Sequence, residues 1–264
     1  MLDPTWALTR PILWLALAGM LALLIARAVR KDRREYARFK RYRTTAKRQA
    51  MLRRWLLDSA LWLGGLAIAT LALAGAYVAP LLQELTTWPV VRDIRGVLIH
   101  DPGLAVGVGL ALLGGFAVLT FVGLRAARRE KDLPTIGDIA AMLPRNRQEL
   151  RIGAVMSVNA GIVEEMLFRL GMPALIFGAT GSAVAAVVAS LLLFGALHGY
   201  QGIWGVVGNS VVGALFLLAY VVTGTILWPI VLHALFDLRS LVLIPVVVYG
   251  VHRVDGVATP VVRA

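Results

Sequence analysis

The sequence predicts an all-α, polytopic membrane protein: a transmembrane helical bundle of about seven spans, or eight if the last apolar run is two shorter pieces. Three observations predict it. The 264 residues are 59% hydrophobic, with a mean hydropathy of +0.76, far too apolar for an ordinary soluble domain. Several apolar runs reach the roughly 20 residues that cross a bilayer as a helix. The basic residues gather between those runs, the distribution that orients membrane helices. The net charge of +12 therefore reads as topology rather than as a nucleic-acid surface. The chain has no cysteine, which excludes disulfides, thiolate metal sites and cysteine nucleophiles.

In chain order, the first span covers Pro11 to Val29. The N-terminus shows neither a basic leader region nor a small-residue cleavage site, so this run reads as a retained span. Residues 27–54 form a dense basic connection holding 13 of the 27 Lys and Arg residues, with Tyr36, Phe39 and Tyr42 interleaved at helical spacing. It reads as a cytoplasmic anchor whose aromatics lie against anionic headgroups, with no nucleic-acid partner. The second span, Trp55 to Ala79, ends at Pro80; an outer loop from Leu81 to Pro102 leads to the third, Gly103 to Leu124. Seven basic residues follow between Arg125 and Arg151, and Leu133-Pro134 and Leu143-Pro144 suggest a short interfacial helix between them.

Four apolar runs complete the bundle: Ile152 to Phe177, Ser182 to Gly199, Ile203 to Thr223 and Ile226 to Gly250. With seven spans the basic connections and the tail, which carries Arg253 and Arg263, lie in the cytoplasm and the N-terminus lies outside. The spacings Gly195-x-x-x-Gly199, Gly205-x-x-Gly208 and Gly103-x-x-x-Gly107 suit close helix packing. The organisation is an N-terminal membrane region over residues 1–150, with three spans and two basic cytoplasmic loops, and a second region over residues 151–252 that carries the chemistry.

That chemistry centres on NAGIVEEMLFRLG, Asn159 to Gly171. An ionisable group near mid-bilayer costs at least about 2.5–3.5 kcal/mol, and here stand Glu164, Glu165 and Arg169. Glu165 and Arg169, four apart, share a helix face and pair in the favoured order. Glu164 is turned about 100° from Glu165 and is left to face other helices. Of four histidines, His100 and His252 read as interfacial, whereas His198 and His233 lie within or at the end of apolar runs. Phe194 stands one turn before His198, Asp237 one turn after His233, and Arg239 is placed to offset Asp237. Polar groups of this kind often only tie membrane helices together, but one on each of three helices is an expensive way to do so. A glutamate in a partly desolvated cavity suits general-base hydrolysis, with His and a carboxyl or amide group orienting water or stabilising an oxyanion. Equally, Glu164, His198, His233 and Asp237 could hold a divalent metal such as zinc at an open site.

Glu164-Glu165-x-x-x-Arg169, Phe194-x-x-x-His198 and His233-x-x-x-Asp237 resemble, in order and placement, the three motifs of the CPBP intramembrane proteases, which include CAAX prenyl endopeptidases and bacteriocin self-immunity proteins. The resemblance covers about residues 150–250. It implies a membrane-embedded endopeptidase site opening to the cytoplasm, with Glu164 activating water, His198 assisting, and His233 and Asp237 arranging the site or stabilising the oxyanion. Glu165, Arg169 and Phe194 match supporting positions. The resemblance leaves the cofactor open between zinc-type and metal-independent chemistry, and the metal-independent reading is favoured. Where the prenyl endopeptidases have Asn, this chain has Asp237; ionised Asp accepts hydrogen bonds but cannot donate them. The implied substrate is a membrane-associated protein or peptide, and the implied location a bacterial inner membrane. Two rival classes are a proton- or ion-coupled transporter, disfavoured because the intramembrane charges sit in one half of the chain, and an inactive scaffold, which would tolerate loss of Glu164.

Overall fold

The computed structural model describes residues 2–130 and 137–255. Among these residues eight long helical segments follow one another: α1 (Thr9–Phe39), α2 (Thr45–Thr86), α3 (Pro89–His100), α4 (Pro102–Glu130), α5 (residues 147–180), α6 (Ala183–Leu197), α7 (Ile203–Thr223) and α8 (Leu227–Tyr249). Among the described residues there is no strand.

Among the described residues five helices are long and apolar enough to cross a membrane: α1, α2, the Val106–Arg125 part of α4, α7 and α8. The chain is an integral membrane protein. The other two runs expected to span are also helical. The first lies in α5, which carries Glu164, Glu165 and Arg169, and the second is α6, only 15 residues long. The last run is one helix rather than two pieces, since α8 passes through Pro245 with a π turn at Arg239–Leu243. The outward faces are apolar, as lipid requires: Leu15, Leu61, Ile68, Leu119 and Trp204 are all exposed.

Three connections differ from the sequence expectation. Pro80 does not end the second span. After a 3₁₀ turn at Gly75–Tyr77 the helix restarts at Val78, so Pro80 sits in a first turn, where its missing N–H matters little. The expected outer loop is therefore largely helix, the end of α2 followed by α3, and Arg95 of α3 donates to the carbonyls of Val221 and Val222 at the end of α7 (2.9 and 3.1 Å). The basic connection is a helical hairpin, the ends of α1 and α2 joined by a turn at residues 40–44. Its aromatics do not line a headgroup layer as expected, because Tyr36 and Phe39 are buried in protein. Phe39 packs with Met51, Leu52 and Ile152, and the Tyr36 hydroxyl donates to the Asp138 carbonyl. Of the helix expected between the two Leu-Pro pairs, the part around Leu133-Pro134 lies outside the described residues, as does Arg263 of the tail. The rest is a single 3₁₀ turn, Ala140–Met142.

The hairpin is locked to α5. Arg48, 1% exposed, meets Glu149 at 3.1 Å and donates to the carbonyls of Ala141 (2.9 Å) and Leu143 (3.2 Å). Glu149 sits in the first turn of α5, whose N-cap Asn146 accepts from the Glu149 N–H (2.9 Å). The main core lies where α1, α2, α5 and α6 meet, around Leu13, Leu24, Leu167, Met172, Leu175 and Phe194.

Candidate active site

Helix α5 brings its two glutamates against α8 because Gly161 has no side chain. A Cβ there would meet the Ile230 carbonyl oxygen at 2.8 Å and the Ala234 nitrogen at 3.0 Å. Gly195 does the same between α6 and α7, where a Cβ would strike Ser210. Of the spaced glycines marked in the sequence, Gly195 lets two helices approach in this way. Gly107 and Gly199 face open space, Gly103 meets Asp101, and Gly205 meets Gln201.

The ion pair expected between Glu165 and Arg169 forms, at 3.1 Å, with both side chains buried. Glu165 also has a second partner: its Oε1 lies 2.7 Å from His233 Nδ1. This carboxylate therefore joins α5 to α8 as well as neutralising Arg169, whose guanidinium lies 4.7 Å over the Phe194 ring. Phe216 of α7 covers the other side of His233, stacked at 5.2 Å. Asp237 Oδ2 stands 3.8 Å from His233 Nε2, so the imidazole lies between two carboxyl groups. Arg239 does not offset Asp237; its Nε donates to Thr120 Oγ1 of α4 (3.1 Å).

His198 stands just past the end of α6. Its Nδ1 is 2.8 Å from the Phe194 carbonyl, which can only accept, so Nδ1 carries a proton and, in the neutral ring, Nε2 keeps its lone pair. Its ring lies 4.8 Å from that of Phe194, the shared face the spacing predicts. Glu164, half-buried, is turned away from the Glu165 cluster and lines a cavity of about 280 Å³. His198, His233, Asp237 and Phe194 line the same cavity. His100 is exposed, and His252 is outside the cavity wall.

Sequence reasoning missed several polar residues on this wall, among them Tyr200, Gln201 and Asn209. A usable signal existed for Asn209, an amide in the middle of an apolar span, where a polar group is rare and calls for an explanation. Among the described residues no group of three or more His, Asp or Glu side chains is gathered closely enough to hold an ion, and His233 Nδ1 is already engaged by Glu165.

What the arrangement offers chemically is a half-buried carboxylate, two imidazoles and a second acidic side chain around one cavity, backed by a buried ion pair. No curated protein and no solved structure matches the chain. Residues 146–239 match the family model described as type II CAAX prenyl endopeptidase Rce1-like. The matched segment holds all three motifs in their order and every residue of the Glu165, Arg169, His233 cluster, so this part of the chain is similar to the Rce1-like CAAX prenyl endopeptidases of the CPBP type.

Proposed function

We propose that this protein is an intramembrane endopeptidase that hydrolyses peptide bonds of membrane-associated proteins with a glutamate-activated water. Glu164 takes a proton from water, and the hydroxide oxygen attacks the scissile carbonyl carbon as the carbonyl π pair moves to oxygen. Glu164 then delivers the proton to the departing nitrogen as the C–N bond breaks, which leaves a carboxylic acid, an amine and the starting carboxylate. His198, with Nδ1–H held by Phe194, presents Nε2 as an acceptor that orients the attacking water. His233, fixed by Glu165, and Asp237 arrange the substrate carbonyl. No step is routed through a metal.

The observation that carries this reading is that Glu164 reaches the cavity while its neighbour Glu165 is consumed by Arg169 and His233. Two adjacent carboxylates thus have separate duties, and only one is free for chemistry. Because the family model is one of prenyl endopeptidases, lipid-modified peptides are the first substrates to test. The membrane is a bacterial inner membrane, with the basic hairpin and the C-terminus on the cytoplasmic side. There the exposed Arg33, Arg34, Arg38, Arg41, Arg43 and Lys47 face anionic headgroups.

The experiment is cleavage of a library of quenched, membrane-anchored peptides, with and without prenyl groups, by purified wild type and Glu164→Gln, each with and without a chelator. Gln keeps the shape and removes the base. The expected result is cleavage by wild type, unchanged by chelator, and a loss of at least about 10²-fold in kcat in the variant. A variant as fast as wild type refutes the role of Glu164, and chelator inhibition reversed by zinc refutes the metal-independent step.

A further inference from the structure

The hydrolysis proposed above needs a hydrogen-bond donor where the carbonyl oxygen becomes an oxyanion, and the four motif side chains are poor in donors. His198 Nδ1 is engaged by the Phe194 carbonyl, His233 Nδ1 by Glu165, and His233 Nε2 faces Asp237 Oδ2 at 3.8 Å. Ionised Glu164 and Asp237 accept only. Several other donors on the wall have partners: Trp55 Nε1 donates to Glu35 (2.9 Å), the Tyr36 hydroxyl to the Asp138 carbonyl, Asn159 Nδ2 to Ser59 Oγ (2.9 Å) and Arg239 Nε to Thr120 Oγ1 (3.1 Å).

Tyr200 is different. A 3₁₀ turn, Gly199–Gln201, carries it directly after His198 and holds its ring 6.2 Å from the imidazole, at 29° to it. A second ring, that of Tyr36, meets it edge-on at 5.3 Å. Its hydroxyl oxygen accepts from Gln201 Nε2 (2.9 Å), and Gln201 Oε1 in turn accepts from Asn209 Nδ2 (3.0 Å). That same Asn209 amide donates to the Gly205 carbonyl (2.8 Å), which sets the direction of the whole relay. The hydrogen bonds run from Asn209 through Gln201 to Tyr200. They occupy a lone pair of the phenol and leave its proton without an acceptor among the described residues. All three side chains line the cavity that Glu164 and Asp237 line.

We infer that Tyr200 donates a hydrogen bond to the substrate carbonyl oxygen and stabilises the oxyanion, supplying the donor that Asp237 cannot. The inference rests on the hydrolase reading. The phenol donates a hydrogen bond and keeps its proton throughout, so the proton balance of the reaction is unchanged. Burial, with the Glu164 and Asp237 carboxylates adding to it, raises the phenol above its ordinary value, so it remains a neutral donor across the working range. Gln201, 9% exposed, acts through Tyr200 and is a positioning residue.

The test compares wild type, Glu164→Gln and Tyr200→Phe on a peptide that wild type cleaves, together with inhibition by the matching peptide aldehyde, whose hydrate mimics the tetrahedral intermediate. Tyr200→Phe is expected to lower kcat by about 10²-fold with KM within about threefold, and to weaken the aldehyde by a factor similar to the loss in kcat/KM. A merely structural tyrosine would not couple those two losses. A kcat within about threefold of wild type, or an unchanged aldehyde affinity, overturns the assignment while leaving the hydrolase reading intact. Should Tyr200→Phe fail to fold, 3,5-difluorotyrosine at position 200 keeps the shape and gives up its proton at lower pH. The kcat of that variant should then fall on the alkaline side at a pH where wild type is still fully active, and a profile that matches wild type's overturns the proposal. A wild type that cleaves no peptide, prenylated or not, overturns the hydrolase reading and this one with it.

Discussion

Gly161→Ala should cost both stability and turnover, because it separates the helices that hold the two halves of the site. The added carbon would lie 2.8 Å from the Ile230 carbonyl oxygen, 3.0 Å from the Ala234 nitrogen and 3.2 Å from the Ala234 Cβ. Carbon atoms in good contact sit roughly 3.5–4.0 Å apart, so α5 and α8 must part by about half an ångström. Overpacking of this kind costs about 1–3 kcal/mol, offset by the roughly 0.5–1 kcal/mol that Ala gains over Gly within a helix. A net loss of about 1–2 kcal/mol should lower the melting temperature by about 2–8 °C. The shift falls beside His233, whose 2.7 Å contact to Glu165 bridges these same helices. Half an ångström more takes it to the limit of a hydrogen bond, and misplacement on that scale should lower kcat by about 10–100-fold. The assay pairs thermal unfolding in detergent with turnover of a cleavable peptide, with Gly65→Ala as control, since a Cβ there meets nothing within 4 Å. If Gly161→Ala melts and turns over like that control, the close approach is not what holds the site together.

Two other predictions test the supports of the site. Arg48→Ala leaves Glu149 buried without its cation and should destabilise by about 3–5 kcal/mol, whereas Arg48→Met with Glu149→Leu should recover most of the loss; a single variant that melts like wild type contradicts the clamp. Asp237→Asn keeps the side-chain shape but removes a charge 3.8 Å from His233 Nε2. A contact weakened by roughly 1.4 kcal/mol corresponds to about a tenfold fall in kcat, with KM unchanged, and a gain in kcat instead would mean the site lacks a donor at that position.

The helices were legible because apolarity over a span's length leaves few alternatives in lipid, and the Glu165–Arg169 pair was legible because four residues of helix bring its members together without any tertiary information. His233 as the second partner of Glu165 was not. It lies 68 residues further along the chain, and its arrival depends on the helix crossing that Gly161 permits, which no local pattern announces. Charge density misled in the hairpin. The arginines there suggested headgroups, and headgroups suggested that the aromatics would face them. Helical periodicity instead splits the two classes, turning Tyr36 inward to Asp138, Phe39 to Ile152 and Arg48 to Glu149, while Arg33, Arg34 and Arg41 stay outside. Pro80 was read as a stop because the 3₁₀ turn that resets the helix just before it has no signature stronger than a single glycine.

Helices α5 and α8 share a feature that separates chemistry from scaffolding. Each passes into a π turn just after its motif residues, at Met166–Gly171 after Glu164 and Glu165, and at Arg239–Leu243 after Asp237. A π turn takes in an extra residue and rotates everything beyond it. Upstream of its turn α5 is two-faced, with Ile162 exposed, Glu164 half-buried and Glu165 buried; downstream the run from Met172 to Ile176 is buried on every side. Arg169 lies inside the turn and reaches back to Glu165 from there. Glu165 is thus the joint between a functional half and a packed half, holding Arg169 along the helix and His233 across it. Its replacement would leave two buried groups unpaired, a structural penalty of about 3–5 kcal/mol, so an inactive Glu165 variant could not identify the base. Glu164 has no such duties, which is why its glutamine variant isolates the chemistry from the fold.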